Sequence, residues 1–149
     1  MPSKLSASDK LLHLDYQLCF ALYSASLAMS KAYKPHLDAL ALTYPQYVVM
    51  LALWEQDVRT VSDIGEQLFL DSGTLTPLLK RLEASGLITR RRAVEDERCV
   101  VISLTAQGRK LKSHALSIPG CMLEATQCSV QEATSLTARL RALRDRLRP

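Results

Sequence analysis

Apolar residues that return every three or four positions run through most of this chain, and the places where that rhythm stops divide it into elements. Over residues 11–34, Leu11, Leu14, Leu18, Ala21, Leu22, Ala25, Ala28, Met29 and Ala32 keep the step. That spacing predicts one long amphipathic helix with Cys19 in its middle. Pro35 disfavours helical geometry at Lys34 and predicts the break there. Thr43 with Gln46 forms a capping box, and Pro45 sits early, where a missing N–H is tolerated. A helix carrying Val48, Met50, Leu51 and Trp54 follows, to about Gln56. Thr60 and Asp63 announce a short helix over 61–68, with Ile64 and Leu68 inward. After a turn at 70–72, Asp71 or Ser72 caps a further helix over 73–85, and Gly86 stops it in the left-handed conformation. Two short helices around a tight turn make a helix-turn-helix.

The pattern then changes. Residues 87–89 and 100–104 read as two strands around a charged tip, Arg90 to Arg98. A charged hairpin directly behind a helix-turn-helix is a wing. Thr105 caps a helix from Ala106 to about Leu116, broken near Pro119-Gly120. Ser129 and Glu132 form the capping box of a last helix, whose stripe is Leu136, Leu140, Leu143 and Leu147. The expected fold is mainly α with a small β wing. A winged helix-turn-helix covers 43–105, and helical regions at 1–42 and 106–149 complete one continuous domain.

At 149 residues and 48% hydrophobic content the chain can bury a core. No apolar run reaches the roughly 18 residues of a membrane span. The polar start, Met1 to Lys10, lacks the apolar stretch of a signal peptide, so a cytoplasmic protein without membrane contact is expected. Four separated cysteines, Cys19, Cys99, Cys121 and Cys128, show no zinc spacing. They are expected as thiols in a reducing cytosol, with no metal and no cofactor. The net charge of +4 and pI of about 9.0 are only mildly basic. Distribution says more: basic residues gather at 80–92, 109–112 and 139–148, while 57–71 leans acidic.

Helix 73–85 is the expected recognition helix. Ser72, Gly73, Thr74 and Thr76 are small and polar, which lets its start approach base edges. Leu75, Leu78, Leu79 and Leu82 face the core, and Lys80 and Arg81 can reach phosphates. Pro77 lies beyond the first unpaired N–H groups, so one helical bond is lost and a slightly irregular first turn is expected. The wing offers Arg90, Arg91, Arg92 and Arg98 to the minor groove, with Asp96 positioned to hold Arg98 by an ion pair. These features together point to double-stranded DNA. A dimer would set two such helices about 34 Å apart and read a pseudo-palindromic operator.

Several of these segments resemble the MarR family of repressors. Leu82-Glu83-Ala84-Ser85-Gly86-Leu87-Ile88, Asp96-Glu97-Arg98 and Leu104-Thr105-Ala106-Gln107-Gly108 match its helix-wing-helix signature. Gln17-Leu18-Cys19-Phe20-Ala21-Leu22-Tyr23-Ser24, Leu42-Thr43-Tyr44-Pro45-Gln46-Tyr47 and Leu75-Thr76-Pro77-Leu78-Leu79-Lys80-Arg81-Leu82 resemble its organic hydroperoxide-resistance branch. The resemblance implies a homodimer joined through the N- and C-terminal helices. It implies repression that ends when Cys19 is oxidised by an organic hydroperoxide, and it makes Tyr33 and Tyr44 the phenols that hydrogen-bond the sulfur. It aligns Arg98 with the wing arginine. It also implies a disulfide between subunits, from Cys19 to Cys121 or Cys128, with Cys121 favoured although the family position falls nearest Glu124.

The residues themselves frame the same chemistry more loosely. A lone helical cysteine is usually a small buried hydrophobe, and burial makes it inert. Reaction with a peroxide requires a stabilised thiolate, and phenols are suitable donors. Tyr16 and Tyr23, at minus three and plus four, share the expected helix face with Cys19. Phe20, Leu22, Met50 and Trp54 would give an apolar surround that selects alkyl or lipid hydroperoxides. Cys99, placed in the wing's outgoing strand, reads as structural, and a small thiol could cap Cys19 if neither later cysteine resolves it. Alternatives are a repressor released by a small aromatic ligand, a thiol peroxidase, and a non-specific architectural DNA binder.

Overall fold

A computed structural model describes residues 6–149; residues 1–5, part of the polar start read above, lie outside them. The order is α1 (Ala7–Leu11), a 3-10 turn (Leu14–Tyr16), α2 (Leu18–Asp38), α3 (Tyr44–Glu55), β1 (Arg59–Thr60), α4 (Val61–Leu68) and α5 (Ser72–Ala84). Then come β2 (Ile88–Arg92), β3 (Val100–Leu104), α6 (Ala106–Ala115), α7 (Ile118–Thr126) and α8 (Val130–Leu147). The fold is mainly α with a small three-stranded antiparallel sheet, order β1-β3-β2.

The N-terminal helix departs from expectation. It does not run from Leu11 to Lys34 but is cut by the 3-10 turn and starts afresh at Leu18. Gln17 explains the cut: its side-chain amide donates to the carbonyls of Leu11 (2.8 Å) and His13 (3.0 Å), closing off α1. Nor does Pro35 end α2, which continues to Asp38. A proline removes one N–H from the ladder, and α2 bridges the gap because Leu37 beyond it is buried in the core. Pro119, expected at a break, sits instead in the first turn of α7, where its missing N–H costs nothing.

In the middle of the chain local signals and structure agree. Thr43 and Gln46 close their capping box, Thr60 accepts from the Asp63 N–H at 3.1 Å, and Asp71 rather than Ser72 caps α5, accepting from Thr74 at 2.7 Å. Gly86 takes φ +79°, a region that favours glycine. β1 is a two-residue strand that the sequence reading lacked; Arg59 faces Ile102 and Thr60 faces Val101. β2 extends further than expected, so Arg90, Arg91 and Arg92 are strand residues opposite Ile102, Val101 and Val100.

One core ties these elements together. Val49, Met50, Leu53, Ile64, Leu75, Leu79, Leu82, Ile88 and Ile102 are essentially inaccessible, and Leu37, Ile118 and Met122 extend that core toward α2 and α7. The wing is pinned at its base by Asp57, whose carboxylate accepts the Leu104 N–H at 2.8 Å and lies 3.6 Å from Arg109. α6 is held on α3 by the Trp54 indole, which donates to the Gly108 carbonyl at 2.9 Å, and presses against the turn before β2, where a Cβ at Gly108 would collide with the Leu87 carbonyl. Among the described residues no helix is long and apolar enough to cross a membrane.

Candidate DNA-reading head and thiol sensor

The reading surface is the outward face of α5. Leu75, Leu78, Leu79 and Leu82 are buried, which turns Ser72, Gly73, Thr74, Pro77, Lys80 and Arg81 to the outside, with Thr76 half-buried at the edge. Pro77 lies within an unbroken helix and leaves the Gly73 carbonyl without its usual amide donor. The Asp71 carboxyl is held below the ordinary aspartate value, first by the Thr74 backbone N–H it accepts. This cap therefore stays ionised at neutral pH and fixes the first turn of the helix that would enter a groove.

The wing sorts its arginines. Arg90 is drawn inward: its backbone N–H and guanidinium both bond Glu83 of α5, at 3.0 and 3.2 Å. It therefore braces the wing against the recognition helix. Arg91 and Arg92 are exposed toward the tip. Asp96 accepts the Arg98 backbone N–H at 3.0 Å and its Nε at 3.4 Å, the expected ion pair. Cys99 lies one residue before β3, not inside it, with its Sγ 3.8 Å from an Asp96 oxygen.

Cys19 is not mid-helix. It is the second residue of α2 and exposed, so the buried-hydrophobe reading does not apply. No side chain caps this end, because Gln17 is turned back to α1; the first intrahelical bond is from Ala21 N–H to the Gln17 carbonyl. The N–H groups of Leu18, Cys19 and Phe20 thus lack intrahelical partners, and the positive end of the helix dipole surrounds the sulfur. Helix starts of this kind favour nearby negative charge.

The tyrosines lie elsewhere. Tyr33 and Tyr44 pack with ring centroids 5.0 Å apart, and Tyr47 joins them at 5.9 and 6.3 Å. Burial, then the neighbouring phenols Tyr44 and Tyr47, pushes the Tyr33 hydroxyl above its usual value, so it remains an O–H donor. Tyr33 follows Cys19 by fourteen positions on the same helix, which sets them about 21 Å apart along its axis. Within one chain the sulfur and these phenols do not meet. Tyr23 does lie one turn beyond Cys19 and is exposed, whereas Tyr16 belongs to the 3-10 turn and not to the Cys19 helix face. Met50 and Trp54 belong to the core around α3, in which Cys19 has no part, so of the expected apolar surround only Phe20 and Leu22 stay beside it.

Cys121 lies on α7, whose Ile118 and Met122 enter the core together with Leu37 of α2. Cys128 lies between α7 and α8, and both thiols are half-buried. Along the arms, apolar side chains stand open: Leu12 is 90% exposed, Leu18 60% and Tyr23 63%, with Leu27, Leu136 and Leu140 also uncovered. α8 has no buried residue at all.

Comparison with known proteins fits this geometry. Residues 31–115 match the transcriptional regulator SarA/Rot family. The organic hydroperoxide resistance transcriptional regulator of Bacillus subtilis is 53% identical over 134 residues, covering 90% of this chain and 91% of that protein. The chain belongs to the organic hydroperoxide-resistance branch of the MarR family. Staphylococcus aureus SarZ is 40% identical over 129 residues, covering 87% of each chain. Among solved structures, reduced AbfR bound to DNA superposes with a TM-score of 0.78 at 33% identity, covering 94% of this chain and 98% of that one. Disulfide-formed AbfR gives 0.62 at 36% identity, covering 91% and 96%. Like its MarR relatives the chain is a transcriptional regulator and not an enzyme, and the small-ligand alternative is not favoured.

Proposed function

We propose that this chain is a cytoplasmic, homodimeric repressor that holds a pseudo-palindromic operator until an organic hydroperoxide oxidises Cys19. The observation that carries the reading is the position of Cys19: exposed, at an uncapped helix start, amid apolar side chains that a second copy would cover. In this reading 1–42 and 106–149 form the dimer and 43–105 reads DNA. Ser72, Gly73, Thr74, Thr76 and Pro77 face the bases, and Lys80, Arg81, Arg91, Arg92 and Arg98 hold phosphate or minor groove, with Asp96 shaping the tip.

The chemistry follows from the sulfur. The Cys19 thiolate attacks the terminal peroxide oxygen; the O–O bond breaks, the sulfur becomes a sulfenic acid, and the alkoxide leaves and is protonated to an alcohol. The half-buried Cys121 or Cys128 of a second copy, or a small thiol, then condenses with the sulfenic acid to a disulfide and water. The Tyr33 and Tyr44 hydroxyls of that copy, and Tyr23 from the same helix, donate to the sulfur. The separation along α2 supports a Tyr33 and a Tyr44 that come from the partner. Oxidation favours a dimer whose two reading heads are spaced wrongly for the operator.

The test is operator binding to the DNA upstream of the coding sequence, with and without cumene hydroperoxide. The wild type binds when reduced and is released by oxidant; Cys19→Ser binds and is not released. Release of Cys19→Ser by the oxidant would refute the sensor assignment. Equal sensitivity of the wild type to hydrogen peroxide would remove the preference for organic oxidants.

A further inference from the structure

Two features of the sequence have no part in that reading: the acidic lean of 57–71 and the arginine-rich tail of α8. The structure brings them together. Phe69, the residue that ends α4, adopts φ 59° and ψ 35°, a left-handed conformation unusual for a bulky residue, and holds its ring partly exposed at the turn of the helix-turn-helix. The guanidinium carbons of Arg144 and Arg148 lie 4.2 and 4.4 Å from the centre of that ring. Between them opens a cleft of about 550 Å³ bordered by Glu66, Asp71 and Ser72, so two cations meet an aromatic face and two carboxylates at the start of the recognition helix.

We propose that Phe69, Arg144 and Arg148 form a clasp by which the last turn of α8 sets the orientation of the recognition helix, making them positioning residues for operator binding. Cation–π contact supplies the attraction. The planar guanidinium suits stacking in a way an ammonium does not. Arg144 is already paired with its neighbour Asp145 at 3.0 Å, and Glu66 and Asp71 border the cleft, which favours docking within the chain over a phosphate contact. No residue of α8 is buried, and its middle borders an apolar hollow shared with Leu18, the neighbour of Cys19. The clasp is thus the point where a terminal helix grips the head, and the inference rests on the operator-binding reading above.

The experiment measures operator affinity of the full-length reduced protein across a salt series for Phe69→Leu, Phe69→Tyr, Arg144→Gln/Arg148→Gln and the triple variant Phe69→Leu/Arg144→Gln/Arg148→Gln. Phe69→Leu and the double arginine variant should each weaken binding about three- to tenfold, the size expected for exposed cation–π contacts. The triple variant should be no weaker than either, the salt slope should not change, and Phe69→Tyr should bind as wild type. If the arginine variant lowers the salt slope by about one per residue while Phe69→Leu binds normally, the arginines contact phosphate and the clasp is wrong. Unchanged affinity in the double arginine variant, whose substitutions lie at an exposed helix end and leave the core intact, also overturns it. Failure of the wild type to prefer operator over random DNA would sink the function itself, a result distinct from both.

Discussion

The reading head and the arms of this chain are made from the same kinds of residue and are finished to different degrees. From α3 to β3 most of the apolar side chains are covered by their own chain, with Leu51, Val58, Phe69 and Val94 among the exposed exceptions, and each helix begins on a side-chain cap. In α1, the start of α2 and α8, comparable leucines face outward. A head closed on itself is rigid enough to read DNA as a unit. Arms left open derive their order from what covers them, so the geometry between heads is set by the arms and is open to chemistry there. The exposed cysteine stands on an arm, and the bases would be read by the head.

The sharpest way to break this contrast is inside the head. Leu79→Ala, at a position 1% exposed, should cost about 2–5 kcal/mol and lower the denaturation midpoint equally at all protein concentrations. A loss whose size itself changes with protein concentration would show that the head is not closed on itself. Next comes the arm. Leu136→Glu/Leu140→Glu should leave the secondary structure by circular dichroism intact, give a monomer by light scattering, and reduce operator affinity about a hundredfold or more through loss of the second head. A dimer that survives with full affinity would remove the arms from the interface.

Smaller effects sharpen the same line. Thr105 caps α6, accepting from Gly108 N–H at 3.0 Å, and also donates to the Gly86 carbonyl at 2.6 Å, whereas Ser129 only caps exposed α8. Thr105→Ala should therefore cost about 1–2 kcal/mol in chemical denaturation and Ser129→Ala about half as much. Equal losses would mean that the second bond of Thr105 contributes nothing. The smallest is an alkaline effect. The Tyr33 phenol is raised by burial and by its neighbours, so stability holds up to the ordinary tyrosine value of 10.0 and declines as pH climbs past it toward the folded value. Tyr33→Phe should flatten that decline in a denaturation series from pH 8 to 11.

The same division governs how much could be read from the sequence. Thr43 with Gln46, Thr60, Asp71, Gly86 and Thr105 act on neighbours within a few positions, so the head was legible almost element by element, and the outward set on α5 followed from its four buried leucines. β1 was not legible, because two residues become a strand only by pairing with β3 forty positions on. The start of α2 was hidden for a different reason. Leu11, Leu14 and Leu18 keep the helical step straight through the cut, and only the backward reach of the Gln17 amide makes it. Missing that cut put Cys19 in the wrong surroundings, although its candidacy as the sensor came from the resemblance of its neighbours. Arg90 was grouped with the other wing arginines because charge in a hairpin looks alike until Glu83 is seen beneath it. A phenylalanine in the left-handed region leaves no local signature, and so Phe69 and its two arginines went unnoticed.

Helix α2 keeps the Cys19 thiol and the Tyr33 phenol of one molecule about 21 Å apart along its axis. If each sensor is built across the pair, then neither polypeptide owns one. Mixing Cys19→Ser subunits with Tyr33→Phe subunits would yield hybrids carrying one intact half-site and one doubly disabled one. A cell holding both defective alleles would regain a response that neither allele gives alone.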